Sequence, residues 1–475
     1  MRILLSCLLL ALPLAAQTLQ ITKGANEYQV YQRGPGNSAT IHVEGSAQGA
    51  AGKTVEARLV AAGMPVKDLD WKAAGKATSS GFTAELANVP TGGPYRLELR
   101  AVGGPVTVVS NLLVGDLWLL AGQSNMEGVG NLENTPLPSA EVNSLDMTDV
   151  WVTATDPLHR LPDSNDPVHW RRNAQGQPEK LQGEALAKWI AARRKGAGPG
   201  LPFALEMVRR TGVPIGLIPC AHGGTSMDQW SPALKDKGGD SLYGGMVRRF
   251  ELAGGKIKGL LWYQGESDAS PTAAPLFEEK FRNLIAAIRK DFNQPDLPFY
   301  YVQIGRHVSL SNQNEWNRIQ DIQLKLESQI PNVGMVTCVD CELDDGIHVS
   351  TTEQPLLGHR LANLAIGQTR KGPRPVSARA KDGIIRVDFA EVNGRLKHAG
   401  RLYGFSVHDA SGAYVPTIYK QRVSSADPNV VELLYGGKLP EGATLRYGAG
   451  RDPYVNLRDE AGMAAPAFGP MPISQ

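Results

Sequence analysis

The polar and apolar positions along the chain fall into three regimes. Residues 21–111 carry short alternating runs, "TIHVEG", "TVEARLV" and "YRLELRAV", separated by turn clusters such as "PTGGP" and "VGGP". Side chains of a strand point to opposite faces in turn, so this alternation predicts antiparallel strands in a sandwich. From Pro373 onward the pattern returns in "IIRVDFAEV", "LYGFSVHDASG", "VVELLY" and "ATLRYGAG". The middle is different. Its runs "DLWLLAG", "VPIGLIPCA", "IKGLLWYQG", "PFYYVQIG" and "VGMVTCVD" are nearly continuous in apolar residues. Between the third and fourth, "APLFEEKFRNLIAAIRKDF" places apolar residues at helical spacing. Apolar strands joined by helical crossovers predict an α/β region built on a parallel sheet covered on both faces. The expected organisation is an N-terminal β domain over 17–111, an α/β domain over 112–372 and a C-terminal β domain over 373–475. A long, loop-rich insertion occupies about 131–200.

Composition narrows the partners. A chain of 475 residues is too long for one core, and 42% hydrophobic with 20% charged residues is ordinary for a globular protein. A net charge of +2 without blocks of like charge gives no case for nucleic acid or an anionic membrane. The opening "MRILLSCLLLALPLAAQ" has one Arg, an apolar core from Ile3 to Leu14 and small residues at Ala15 and Ala16. It reads as a secretory signal peptide over residues 1–16, too short for a membrane span, so a secreted or periplasmic location is expected. Cys7 lies too early in it to be a lipidated cysteine. Cys220, Cys338 and Cys341 remain, with two readings: a small disulfide between Cys338 and Cys341, or three buried thiols. One Cys pair is short of the ligands structural zinc needs, and neither metal nor cofactor is expected.

Ligands of open α/β sheets sit beyond the carboxyl ends of the strands. The first middle strand leads into Gly122-Gln123-Ser124-Asn125-Met126, and "PIGLIPCA" leads into His222-Gly223-Gly224-Thr225. "GLLWY" precedes Gln264-Gly265-Glu266-Ser267-Asp268, and "GMVTCVD" precedes "CELDDGIHVSTT" with Asp344, Asp345 and His348. Acyl transfer needs this set. A serine hydroxyl is a weak nucleophile until a base takes its proton, the base needs a carboxylate to fix its tautomer, and the tetrahedral oxyanion needs preorganised donors. Ser124, His348, Asp345, the Gly223–Gly224 amides and the Gln264 amide match these roles.

"GQSNM" is not the G-x-S-x-G elbow of α/β-hydrolases, because Met126 replaces the second glycine. Asp345 and His348 lie three apart, so one loop presents both. The four blocks "LWLLAGQSNMEG", "GLIPCAHGGTSMDQW", "LLWYQGESD" and "DDGIHVSTTEQPLLGHRLA", in this order, resemble the sialate O-acetylesterase family and the related acetylxylan esterases of carbohydrate esterase family six, within the SGNH hydrolases. "GAGPGLPFA" leans toward the acetylxylan esterase branch, and the flanking β regions toward the sialate esterase layout. The resemblance implies a flavodoxin-like, three-layer SGNH domain between two β-sandwich-like domains, acting as a secreted carbohydrate O-acetylesterase without a cofactor. By position it makes Ser124 the nucleophile, His348 the base and Asp345 its partner. It puts the Ser124 amide, an amide of Gly223 or Gly224, and the Gln264 side chain around the oxyanion. The wider SGNH pattern has Asp at Gln123 and Asn at Gln264. Gln123, Asn125 and Glu266 then stand behind the reacting groups and orient them.

Competing readings accompany these. Ser124 alone suits a helix N-cap, and the glycine pair alone suits a tight turn. His222 is a rival base without a well-spaced acid, His359 sits in the helical pattern "PLLGHRLANLA", and Asp344 competes with Asp345. The acids from Asp340 to Asp345 suit calcium or, more commonly, a hydrated loop. The insertion, with Trp151, Trp170 and Arg171, is either a wall of a sugar-binding cleft or a decorated surface loop. Other function classes are a non-catalytic carbohydrate-binding protein and a lipase or thioesterase of the same fold.

Overall fold

The computed structural model describes residues 17–309 and 313–475; the signal-peptide stretch and Cys7 lie outside them. The chain divides into two compact units between Val114 and Gly115. The first is an antiparallel sheet with strands in the order Thr18–Lys23, Ser38–Gln48, Gly81–Pro90, Lys72–Thr78, Thr54–Ala61 and Gly92–Ala101, followed by residues from Thr107. Alternation is clear in Ser38–Gln48, where Ala39, Ile41 and Val43 are buried and Thr40, His42 and Glu44 are exposed. Ile41, Val43, Val55, Leu59, Leu86 and Leu97 share one core.

The second unit contains the parallel sheet. Its order is Trp151–Thr153, Val142–Leu145, Ile215–Pro219, Thr107–Gly122, Gly259–Tyr263, Phe299–Gln303 and Val333–Thr337. All neighbours run parallel except the edge pair Val142–Leu145 with Trp151–Thr153. The strand that ends at Gly122 comes first in sequence yet lies centrally. The next parallel strands fall on one side of it and the last three on the other. That reversal is the topological switch point, where open α/β sheets place their ligands. Leu117, Leu119 and Leu120 on this strand are completely buried, each contributing about 1.5–3 kcal/mol of burial. Helices Gly200–Thr211 and Gln354–Ile366 pack on each other and on the sheet, and Gln313–Gln329 packs on Phe299–Gln303 and Val333–Thr337.

The insertion is more ordered than its loop-rich sequence predicts. It supplies the strand Val142–Leu145 to the parallel sheet. It is also tied down by two arginines of the helix Leu242–Leu252. Arg248 bridges Asp149 at 2.8 Å and Asp166 at 2.7 Å, and fully buried Arg249 reaches Asp149 at 2.8 Å and the Leu145 carbonyl at 2.6 Å. From Arg374 the chain forms an eight-stranded sheet with its own core, including Ile385, Val387, Leu433 and Leu445. Asp340 is not part of a hydrated acidic loop. Arg360 and Arg458 pair with it at 2.7 and 2.6 Å and keep its carboxyl below its usual range although the side chain is buried. Cys220, Cys338 and Cys341 are separate buried thiols rather than a disulfide. No helix among the described residues is long and apolar enough to cross a membrane.

Candidate active site

The buried run Leu112–Gly122 ends at Gly122, with φ at 126°. A Cβ there would stand 2.2 Å from the Tyr263 carbonyl oxygen, so only glycine lets the strand turn off the sheet at this point. The turn delivers the short helix Ser124–Glu127 with Ser124 at its first position. The Ser124 N–H, like any at a helix start, has no carbonyl one turn back to bond.

Ser124 Oγ lies 3.0 Å from His348 Nε2. The other ring nitrogen, Nδ1, lies 2.9 and 2.8 Å from the two Asp345 oxygens. A proton on Nδ1 is shared with the carboxylate, which leaves Nε2 free to accept the serine proton. Asp345 Oδ1 also accepts the N–H groups of Ile347 and His348, each at 3.0 Å, and Lys195 Nζ reaches Oδ2 at 3.1 Å. Partial burial opposes the charge, yet these donors hold the carboxyl well below the usual carboxylate range. Asp344 has a different task. Its Oδ2 accepts from the Asn131 N–H at 3.2 Å and the Thr351 N–H at 3.0 Å, closing the loop.

The residues flanking Ser124 pin the turn to the other strand ends. Asn125 Nδ2 donates to Glu266 Oε1 at 3.0 Å, while its Oδ1 accepts the Val349 N–H at 3.0 Å, one residue past His348. Gln123 Oε1 accepts the Ser267 N–H at 3.2 Å. Gly223 packs directly on the serine, since a Cβ there would lie 3.3 Å from Ser124 Cβ. Its N–H donates to Glu127 Oε2 at 2.7 Å. Among the described residues, the Gly224 N–H has no acceptor.

Gln264 departs from expectation. It is completely buried and does not line the cleft at Ser124. Its Nε2 donates to the Thr225 carbonyl at 3.1 Å and to Asp268 Oδ2, so both amide hydrogens are engaged beneath the site. It braces the Gly223–Thr225 turn from below instead of donating to an oxyanion. Gln264→Ala is therefore expected to cost about 1–3 kcal/mol of stability in a denaturant titration, by removing the amide that buried Asp268 and the Thr225 carbonyl share and leaving Asp268, among the described residues, with the Met227 N–H alone as hydrogen-bond donor. The 10²–10³-fold kcat loss typical of a lost oxyanion donor, with stability intact, would restore it to the site.

Two carboxyls beside Ser124 carry a pH signature. Burial pushes Glu127 up to about 7, against the Gly223 N–H and Arg193, which favour its charge. Burial also pushes Glu266 up to about 7, against its Asn125 bond. Between about 4.5 and about 7 the folded chain keeps protons that the unfolded chain has released, so these groups lose stability as pH rises. His159, which burial pushes down to about 3, acts in the opposite sense. The informative quantity is thus a difference. Glu127→Gln should gain stability relative to wild type as pH rises through that window, read by Tm; a constant or shrinking difference contradicts the assignment.

The cleft holds about 510 Å³ and is lined by Ser124, His348, Glu127, Gly223, Gly224, Glu266, His307 and Trp316, among others. Trp151, Trp170 and Arg171 are not in its wall. Trp151 is a core residue, and Trp170 Nε1 donates to the Ser164 carbonyl at 2.7 Å. The aromatic side comes from His307 and Trp316, whose rings meet edge to face with centroids 5.4 Å apart. His222 turns away from the cleft, its Nδ1 lying 3.0 Å from His169 Nδ1. His359 pairs with Glu206 at 3.0 Å, a structural contact. Lys195, Glu127, His307 and Trp316 escaped the sequence reading. Only Glu127 lies inside one of the four blocks, and an acidic residue directly after "QSNM" is its one signal.

Residues 114–367, more than half of the chain, match the model of a family described as carbohydrate esterase, sialic acid-specific acetylesterase. A probable carbohydrate esterase of Arabidopsis thaliana is 29% identical over 293 residues, 55% of this chain and 96% of that one. Human sialate O-acetylesterase is 24% identical over 360 residues, covering 66% of this chain and 67% of its own. Among solved structures, a carbohydrate acetylesterase from Xanthomonas citri superposes with a TM-score of 0.66 at 23% identity, covering 95% of this chain and 99% of that one, which speaks for the fold. The protein is a carboxylic ester hydrolase. By the family model that spans its parallel sheet and every residue gathered at Ser124, the chain belongs to the sialic acid-specific acetylesterase family of carbohydrate esterases.

Proposed function

We propose that this protein is an exported serine esterase that removes O-acetyl groups from carbohydrate through an acyl-enzyme. The observation that supports it best is the hydrogen-bonded series Ser124–His348–Asp345 at the switch point of the sheet, in a family of carbohydrate acetylesterases. His348 Nε2 takes the hydroxyl proton as Ser124 Oγ bonds to the acetyl carbon. The negative charge that develops on the carbonyl oxygen meets the N–H groups of Ser124 and Gly224; the Gly223 N–H is already committed to Glu127. The carbon–oxygen bond to the sugar breaks, and the imidazolium returns its proton to the departing alkoxide. A water molecule, deprotonated by the same nitrogen, then attacks the acetyl-serine, and collapse releases acetate and restores Ser124. Asp345 stabilises the imidazolium in both halves and holds the ring so that Nε2 faces the serine.

The order of strands and the flanking sheets support an SGNH-type, flavodoxin-like three-layer domain at about 112–372 between β domains at 17–111 and 373–475. The N-terminal "MRILLSCLLLALPLAAQ" supports export to the periplasm or beyond. The substrate class is tested by acetate release from acetylated xylan, acetylated pectin and O-acetyl sialic acid. Release from at least one is expected. Turnover confined to long-chain nitrophenyl esters would favour the lipase or thioesterase reading instead.

A further inference from the structure

We propose that the 131–200 insertion carries a second carbohydrate site, which takes a sugar ring of the same glycan distant from the acetylated one; it rests on the carbohydrate reading above. A cavity of about 330 Å³ opens there, at the lower end of ligand-sized pockets, and it shares no lining residue with the cleft at Ser124. The strand Val142–Leu145 and the turn after it bring Ser144 and Asp146 to it, Trp151–Thr153 brings Thr153, and the helix Gly183–Ala192 brings Trp189 and Ile190.

Two observations distinguish this cavity from a packing gap. Ser144 is only 2% exposed, and its Oγ has no hydrogen-bond partner among the described residues. A buried hydroxyl left so needs a partner from the cavity, a water or a ligand hydroxyl that displaces it. Second, the helix above buries none of its side chains, and Ile190 stays 44% exposed, so its apolar face is not closed onto the protein. A pyranose meets both needs, because it has an apolar C–H face and a rim of hydroxyls. Trp189, over which the Arg193 and Arg171 guanidinium groups lie 4.8 and 5.5 Å from the ring centre, offers for the first the part of its ring that faces the cavity. Ser144, Asp146 and Thr153 offer donors and acceptors for the second.

The cavity also lies close to the reacting groups along the chain. Arg193 in its wall donates through Nε to the Lys195 carbonyl at 2.6 Å, and Lys195 Nζ reaches Asp345 at 3.1 Å. Arg193 and Lys195 are two residues apart, so this series of contacts ties the cavity wall to the loop that carries Asp345 and His348.

The test is calorimetric binding of unacetylated xylo-, manno- and galacturono-oligosaccharide ladders, from one to six units, to the full chain. In at least one ladder, affinity is expected to rise about tenfold with length, and Trp189→Ala should abolish the rise. Thr153→Trp, which fills the cavity from the strand Trp151–Thr153, should do the same if Trp189→Ala folds poorly. Turnover of 4-nitrophenyl acetate should stay within about twofold of wild type in both variants. Length-independent affinity in every ladder, or a gain that survives both substitutions, overturns the second site. Failure of the wild-type chain to hydrolyse nitrophenyl acetate would instead count against the esterase reading, a separate outcome.

Discussion

Ser124→Ala is expected to lower kcat for acetate release by about 10⁶-fold, the loss seen when a serine hydrolase loses its nucleophile. The methyl side chain removes the hydroxyl that lies 3.0 Å from His348 Nε2 and leaves the rest of the cleft in place. The serine is only partly buried, and Gly223 packs on its Cβ, which alanine retains. Stability should therefore hardly move, and a loss of activity will report chemistry and not folding. Turnover within tenfold of wild type would mean that the ester is attacked by another group, for which Glu127 and Glu266 in the cleft wall are the candidates.

Asp345→Asn should cost about 10⁴-fold in kcat with little change in KM. The carboxylate now accepts from four donors: His348 Nδ1, the Ile347 and His348 N–H groups, and Lys195. An asparagine must present its amide nitrogen to some of them. If its oxygen stays with the two backbone N–H groups, its NH₂ faces Nδ1 and drives the ring proton to Nε2, the wrong nitrogen for a base. Lys195 also loses its partner. Removal of Lys195 itself should be milder, because an ion pair this exposed is screened by solvent. Steady-state kinetics with 4-nitrophenyl acetate separates the two. A loss confined to KM would mean that Asp345 shapes the cleft without serving His348.

Much of this site was legible in the sequence because its chemistry lies at strand ends. Near-continuous apolar runs such as "DLWLLAG" and "GLLWY" mark buried parallel strands, and the residues just after them converge at one edge of the sheet. The D-x-x-H spacing carried the Asp345–His348 pair, since one short loop makes both contacts. What was hidden shares a cause: side-chain partners far apart in sequence. Gln264 has the donor an oxyanion needs, but whether its amide faces the cleft or the Thr225 carbonyl depends on packing from other strands. The strand Val142–Leu145 went unseen because Asn143 and Ser144 interrupt its apolar pattern although both are buried. The insertion looked like loop because its order depends on Arg248 and Arg249, about a hundred residues downstream of Asp149. The Lys195 contact with Asp345 likewise has no local signature.

The most direct measurement is covalent labelling with a fluorophosphonate, followed by mass spectrometry of the modified peptide. The reagent phosphonylates a hydroxyl only where a base and an oxyanion site act on it together. A single stoichiometric adduct on Ser124 is predicted, formed in step with the loss of acetate release and absent from Ser124→Ala. A wild-type chain that still releases acetate from acetylated sugar but carries no adduct at Ser124, or carries it on another residue, would contradict the account.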